Sequence, residues 1–409
     1  MRDLSVVIRK MQSGFDTLKE AAISPKVVRS INSRRMSGAT SFDFAVYFAD
    51  SGKLLYQLDA WLRPFEQLEA AGMNIILVLK SPTVALAMAE QSSLPILVTR
   101  SMATIESFIS SHEIAGVFYV NNSQANFTAL RMTGPAHIHL NHGESEKSSM
   151  LSNQIKAYDY AFIAGNAAEE RIMAHIKGVH RSALIKIGRP QLDVADLSEP
   201  DSKAGARSTI LYAPTWEGDS KDMAYSSITT VGVRLVNEVL ADGRYTLVFR
   251  PHPKTGSWSQ DAAKALKNIK SQIKAAKASD PSAGHRVDET EDPCTSIMRS
   301  TVVVADVSAM AMDAIGLNRR LLLLDGIAGR HDYAARNESP TMAKSVPSVT
   351  PDFNGSFADL LGTIIDSQIP AGQEQFRVHV FGESSLGTGT RRFVEACEAI
   401  KASGEPDVS

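Results

Sequence analysis

A pair of doubly wound α/β halves facing a cleft is what this 409-residue sequence predicts, on three observations. Short apolar, β-branched runs alternate with helix-length segments along most of the chain, which means a parallel sheet with helices on both faces. The chain exceeds the size at which a single core stops growing, so two domains are expected. Near the middle, Glu199 to Ser208 (EPDSKAGARS) is polar and rich in Pro, Gly and Ser, and reads as a linker. The boundaries that follow are an N-terminal segment over 1–39, a first half over 40–198, the linker 199–208 and a second half over 209–409.

The N-terminal segment stands apart by charge. Arg2, Arg9, Lys10, Lys19, Lys26, Arg29, Arg34 and Arg35 face only Asp3, Asp16 and Glu20. Val6, Val7, Met11, Phe15 and Leu18 can line one side of a helix flanked by those basic residues. Two readings stay open: a helix lying on an anionic membrane surface, or a solvated helix packed on the first half.

From Phe42 the alternation begins. Phe44 to Phe48, Asn74 to Leu79, Pro95 to Val98, Val117 to Val120 and His137 to Leu140 read as strands. Helices are expected over Leu58 to Ala71, ended by Gly72, and over Thr104 to Ser110 and Ala167 to Ile176. The stretch Gly188-Arg189-Pro190-Gln191-Leu192-Asp193 closes the half. In the second half, Thr209 to Ala213 and Tyr245 to Phe249 are strands, Val231 to Ala241 a helix, and Ala262 to Ala278 a long basic helix.

Then comes STVVVADVSAMAMDAIGLNRRLLLLD, residues 300–325. Thr301 to Ala305 is a strand buried on both faces, Ala309 to Leu317 a packed helix behind the N-cap types Asp306 and Ser308, and Arg320 to Leu324 a second strand. This right-handed βαβ unit leaves the helix N-terminus free to hold a phosphate or pyrophosphate. Residues 330–355 are loop-rich, and helices over Phe357 to Ser367 and Arg391 to Ala402 end the chain, where they can pack back on the first half. Two such halves across a cleft define the GT-B architecture.

Bulk composition narrows the function. Hydrophobic content of 44% and charged content of 22% are those of an ordinary soluble protein, and a net charge of −2 argues against a nucleic-acid partner. Cys294 and Cys397 are too few for a disulfide framework or a structural zinc site, so a cytoplasmic setting is expected. There is no apolar run of about 18 residues and no signal-peptide core, so any membrane association is expected to be peripheral, on the inner face.

Three loops at strand ends carry candidate chemistry. In the first, Asn141 to Lys147, Gly143 permits a sharp turn that leaves His142 at the sheet edge, where it can act as a general base. His137 and His139 share one side of their strand, but no carboxylate at ligand spacing accompanies them, and no metal site is expected. In the second, Arg250-Pro251-His252-Pro253-Lys254, two prolines stiffen the chain around an imidazole in a cationic setting suited to charge on phosphorus. In the third, Leu211 to Gly218, Thr215 can bond a phosphate oxygen and Trp216 can stack or wall the cleft. Walker A, Gly-x-Gly-x-x-Gly and Gly-x-Ser-x-Gly stretches are absent.

Together these residues resemble the CDP-glycerol glycerophosphotransferase family, which includes teichoic-acid and capsule alditol-phosphate transferases. The likeness rests on His142-Gly143 with Lys147, Leu211 to Trp216, Arg250 to Pro253, and Asp306-Val307-Ser308-Ala309 with Asp313. Ile187 to Asp193 is similar to the family's Gly-x-Pro-x-x-Asp. Val307 and Ala309 replace a Tyr and a second Ser, and Asn141 stands where the family has an aromatic-rich neighbourhood.

The resemblance implies transfer of glycerol phosphate, or a related alditol phosphate, from a CDP-activated donor to a hydroxyl of a lipid-linked or polymeric acceptor, with release of CMP. It implies no further cofactor. His142 and His252 would be catalytic. Gly143 and Lys147 would lie on the acceptor side, in the first half. Arg250, Pro251, Thr215, Trp216, Asp306, Ser308, Ala309 and Asp313 would bind the donor's phosphates and nucleotide. Two alternatives are a GT-B glycosyltransferase using a UDP- or CMP-sugar, and a catalytically silent module that binds an anionic polymer.

Overall fold

The computed structural model describes residues 25–36, 41–193, 207–220, 223–326, 340–382 and 387–403, the side chains of 33–36, 149 and 403 excepted. The apolar face expected over Val6 to Leu18, the linker up to residue 206, and residues 330–339 of the loop-rich stretch lie outside the described residues.

Seven strands make the first sheet: β1 (Phe44–Phe48), β2 (Ile75–Leu79), β3 (Ile96–Val98), β4 (Gly116–Tyr119), β5 (Ala136–His139), β6 (Tyr160–Ile163) and β7 (Leu184–Lys186). Their order is β3-β2-β1-β4-β5-β6-β7. The second sheet holds β8 (Ser208–Ala213), β9 (Tyr245–Phe249), β10 (Arg286–Val287), β11 (Val302–Asp306), β12 (Arg320–Leu324) and β13 (Ser348–Val349), ordered β10-β9-β8-β11-β12-β13. Every pairing is parallel. Both sheets therefore start in the middle and wind outward twice, which opens a crevice at the strand C-termini between β1 and β4 and between β8 and β11.

Alternate residues of each strand feed opposite cores, as a two-residue period requires. Phe44, Val46 and Phe48 enter one core of the first sheet, while Ala45 and Tyr47 enter the other. In the second sheet Leu211, Val303 and Leu323 face one core, and Ile210, Tyr212, Val304 and Leu324 the other. Because both faces are covered, the strands carry no polar face, and this is why they read as continuous apolar runs.

The helices, in chain order, are α1 (Pro25–Met36), α2 (Leu55–Ala70), α3 (Pro82–Gln91), α4 (Met102–Ser111), α5 (Asn166–His175), α6 (Pro190–Asp193), α7 (Val233–Ala241), α8 (Gln260–Ser279), α9 (Pro293–Met298), α10 (Ala309–Gly316), α11 (Met342–Ser345), α12 (Phe357–Asp366), α13 (Ala371–Phe381) and α14 (Thr388–Ser403). Serine caps recur: Ser81, Ser101, Ser259, Ser308 and Ser356 each accept a backbone N–H of the first turn.

The last two helices knit the halves together. Phe376, Val380 and Phe381 of α13 share a core with Ala164, Ala167 and Leu192 on one side and with α10 on the other. Beyond them, Phe393, Ala396, Cys397 and Ile400 of α14 lie in the first sheet's core beside Trp61, Phe65 and Phe118. Asp193 seats that helix by accepting the N–H groups of Gly387 (2.9 Å) and Thr390 (2.5 Å). Fully burying each such aromatic ring contributes about 1.5–3 kcal/mol.

Candidate active site

The first loop leaves β5 through Leu140 and turns at Asn141, whose φ is +57°. Asparagine is among the few side chains that enter this left-handed region readily, which accounts for the residue standing before His142. Its Oδ1 accepts the His142 N–H at 2.8 Å, and Trp61 Nε1 donates to its carbonyl. Gly143 comes next because the loop runs against the start of α10. A Cβ there would lie 2.8 Å from the Cβ of Ala309. Glu144 is then buried against Arg171, and Glu146 accepts the Met342 N–H at 3.3 and 3.2 Å. His142 is thus held from both halves.

On the second sheet, β8 runs into Thr215, Trp216 and Glu217. Asp306, at the end of the neighbouring β11, accepts the N–H of Thr215 (2.7 Å) and of Ser227 (3.1 Å), bracing the crevice between these strands. After β9, Arg250 pairs with Asp288 at 2.7 Å and reaches Ser296 Oγ at 3.1 Å. The Lys254 N–H donates to His252 Nδ1 at 3.1 Å. A neutral imidazole so bound carries its proton on Nε2, so His252 presents a donor to the cleft. Glu217 fixes the rest of this loop by accepting the N–H groups of Gly256, Trp258 and Ser259 at 2.7–3.0 Å.

The two histidines converge. Each meets the ring of Tyr56 edge-on, His142 at 5.9 Å and His252 at 5.6 Å between centroids. Trp216 stacks on the far side of His252 at 6.5 Å, with Lys254 Nζ 3.9 Å above the indole. Lys147 Nζ donates to Thr215 Oγ1 at 2.6 Å and lies over the Tyr225 ring. Ser308 caps α10 by accepting the Ala311 N–H at 3.4 Å. The N–H groups of Ala309 and Met310 have no partner within the helix.

The electrostatics follow from crowding basic groups into a confined cleft. Burial, then Arg189, Lys147, His139 and Lys254, push His142 down to about 4. Burial, Lys147, His142 and Lys254 push His252 down to about 3. Burial lowers Lys147 to about 8, against the pull of Asp306. Asp306 in turn is raised to about 7 by burial, despite its hydrogen bonds. Both imidazoles are therefore neutral at pH 7. An anion placed beside Lys147 and Lys254 would ease the repulsion among these basic groups.

Most candidates from the sequence meet here, but several have other partners than expected. Asp306 bonds backbone N–H groups, because a buried carboxylate beside a strand end is satisfied most readily by the adjoining loop. Asp313 is locked with Arg189 of the first half at 2.7 and 3.0 Å, both side chains buried. Arg250 is held by Asp288, and the Thr215 hydroxyl by Lys147. Lys147, expected with the acceptor side of the first half, touches the second. Val307 is buried in the second core, and Ala309 is where the Gly143 loop rests.

Tyr56, Trp61, Glu217 and Arg189 belong to the site and were not among its candidates. Arg189 had a sequence signal inside the Gly188 to Asp193 stretch, and Glu217 one inside the Leu211 to Gly218 loop. His137, by contrast, is spent on Tyr119 Oη and the Met132 carbonyl, both at 2.8 Å. Among the described residues no group of three or more His, Cys, Asp or Glu is placed to hold a metal ion.

Fold and cleft together define a two-sheet α/β protein of the GT-B class. Residues 89–320, more than half of the chain, match the CDP-glycerol:poly(glycerophosphate) glycerophosphotransferase family, and the chain belongs to it. No curated protein matches the sequence. Among solved structures, a glycosyltransferase from Rickettsia africae ESF-5 is 11% identical, with 88% of this chain and 99% of that one covered and a TM-score of 0.54. A UDP-N-acetylglucosamine 2-epimerase is 10% identical over 90% of this chain and 99% of its own, with a TM-score of 0.52. The wall teichoic acid polymerase TagF is 14% identical over 96% and 98%, with a TM-score of 0.50. At these identities the likeness is one of fold.

Proposed function

We propose that this chain transfers glycerol phosphate, or a close alditol phosphate, from a CDP-activated donor to a hydroxyl of a lipid-linked or polymeric acceptor. The observation that carries this reading is the meeting of His142 and His252 on Tyr56, with Lys147 and Lys254 close enough to depress both imidazoles and the Gly143 loop resting on the first residue of α10. The acceptor oxygen attacks the phosphorus bearing the alditol, its proton passes to the neutral His142, and the bond to the CMP oxygen breaks. His252 Nε2–H and Lys254 face the charge gathering on departing CMP, and the two free N–H groups of α10 help hold the diphosphate. Most of the acceleration in such a transfer comes from alignment and electrostatics rather than covalent chemistry.

The family match supports the donor class, and the grouping of Lys147 and Lys254 about the two imidazoles supports a doubly phosphorylated ligand. Melting-point shifts with CDP-glycerol, CDP-ribitol, UDP-sugars and CMP test the donor, since a ligand of the folded state stabilises it. CMP release with wild type, His142→Ala and His252→Ala tests the chemistry. Loss of at least about a hundredfold in each variant, with the CDP-glycerol shift retained, is expected. A shift with UDP-sugars alone would turn the reading to a sugar transferase, and near-normal CMP release from either variant would remove the assigned roles.

A further inference from the structure

Behind the His142 loop lies a cavity of about 60 Å³ that the transfer step above does not use. Asn141 and Gly143, the residues on either side of His142, form part of its wall, and Trp61, His139, Arg189 and Gln191 form more of it. His139 and Gln191 are each only 6% exposed. Yet His139 Nδ1 and both amide atoms of Gln191, Nε2 and Oε1, are buried without a hydrogen-bond partner. Leaving such groups unpaired is costly, and native interiors rarely tolerate three around one space. Gln191 also sits on α6 at the end of the first half, where nothing in its own backbone role calls for an amide side chain.

A hydroxyl both donates and accepts, and so does a carboxamide. Gln191 is therefore matched to one hydroxyl through Nε2 and Oε1, and His139 to a second. The space equals that of about four to five water-sized atoms, judged by the volume one water requires. A terminal HOCH2–CHOH– group has four non-hydrogen atoms. The apolar part of the wall, from Leu151, Ile155 and Ile187, suits the carbon edge of such a unit.

We infer that this cavity is a subsite for a terminal vicinal diol, the hydroxylated end of the acceptor, seated beside the loop that carries His142. The inference rests on the transferase reading for its source of diol. The donor's alditol is the other possible source of the same chemistry. Gln191 and His139 act here as positioning residues, since the reacting proton goes to His142.

Saturation-transfer NMR on the full chain with glycerol as probe tests it. The expected result is a glycerol signal that persists when CDP-glycerol is added to saturation, weakens for propane-1,3-diol, and falls with Gln191→Leu or His139→Phe. The corresponding rise in glycerol Kd is about tenfold or more, the worth of one buried hydrogen bond. His139→Phe keeps a ring to stack on Tyr158, now 4.9 Å away, so the pocket wall survives the substitution. In turnover, the same variants raise KM for the acceptor and leave KM for the donor unchanged. A glycerol signal abolished by CDP-glycerol would hand the cavity to the donor and overturn the assignment. No glycerol signal, or one indifferent to both variants, would leave only an ordered-water cavity and end the proposal. The CDP-glycerol melting shift is read separately in every variant. If it is absent throughout while the diol signal holds, the donor reading falls and the subsite stands.

Discussion

Gly143→Ala is the smallest change that interrogates how the two halves build one site. The added methyl carbon would sit 2.8 Å from the Cβ of Ala309. Carbon atoms prefer about 3.5–4.0 Å, so the overlap is about 0.7 Å or more, and the obstacle is the first residue of a helix rather than a flexible side-chain tip. Overpacking of this kind costs about 1–3 kcal/mol, or else the loop retreats by a comparable fraction of an ångström. Retreat carries the adjacent His142 away from the start of α10. A misplacement near 1 Å lowers a rate by about a hundredfold, so kcat should fall by about ten- to a hundredfold with little change in nucleotide binding. The melting point should drop by a few degrees. Ala309→Gly removes the opposing carbon, so the double variant should recover much of both losses. The assay is a double-mutant cycle on kcat and on urea midpoints, with a coupling of about 0.5–3 kcal/mol expected. Additive losses, or a single Gly143→Ala variant with wild-type rate and stability, would refute the packing argument.

Two further outcomes follow from the site. Between about pH 4 and 6.5 the unfolded chain binds protons on His139, His142 and His252 that the folded chain refuses, since burial holds these groups at about 4, 4 and 3. Asp306, raised to about 7, acts in the opposite sense because the folded chain keeps a proton there that the unfolded chain has lost. His285 is lowered by burial as well, while Asp59 and Glu69 are raised by it and side with Asp306. Four imidazoles outweigh three carboxyls, so melting temperature should rise with pH across that window, and scanning calorimetry showing a flat or falling trend would contradict the burial assigned to the imidazoles. Breaking the buried Arg189–Asp313 pair from either side, by Arg189→Met or Asp313→Leu, should destabilise the protein by about 3–5 kcal/mol in urea unfolding. The double replacement should cost less than either single change.

Much of this fold was legible because buried parallel strands leave no polar face to confuse the pattern. FAVYF at Phe44, YTLVF at Tyr245 and RLLLL at Arg320 each announce themselves. Strands β6 and β7, of four and three residues, went unread, although β3, β4 and β5 are no longer and were read. Helix α3 went unread although Ser81 and Pro82 supply a cap and a first-turn proline, because its Ala-rich body lacks a polar stripe. The site was legible in its motifs and not in its wiring. Four strands, β6 to β9, separate His142 from His252 in the chain, and only folding brings both to Tyr56, a residue with no local signal. Asp306 and Asp313 stand out in the sequence as acidic residues in and beside the start of a helix, but their partners do not. What decides their role is the partner within reach, a backbone N–H in one case and Arg189 in the other.

The return of α14 to the first sheet has a consequence for the order in which the protein can be made. Trp61, which holds the carbonyl before His142, packs at 5.6 Å against Phe393, more than three hundred residues downstream. During synthesis the first sheet can pair its strands early, but one wall of its aromatic core is missing until the last helix emerges. Until then the indole leans on Phe65 of its own helix but lacks its partner on α14, and the turn it braces is held less firmly. Such long-range closure slows folding, and it also means that the cleft of a nascent chain is not fully braced until α14 has been translated.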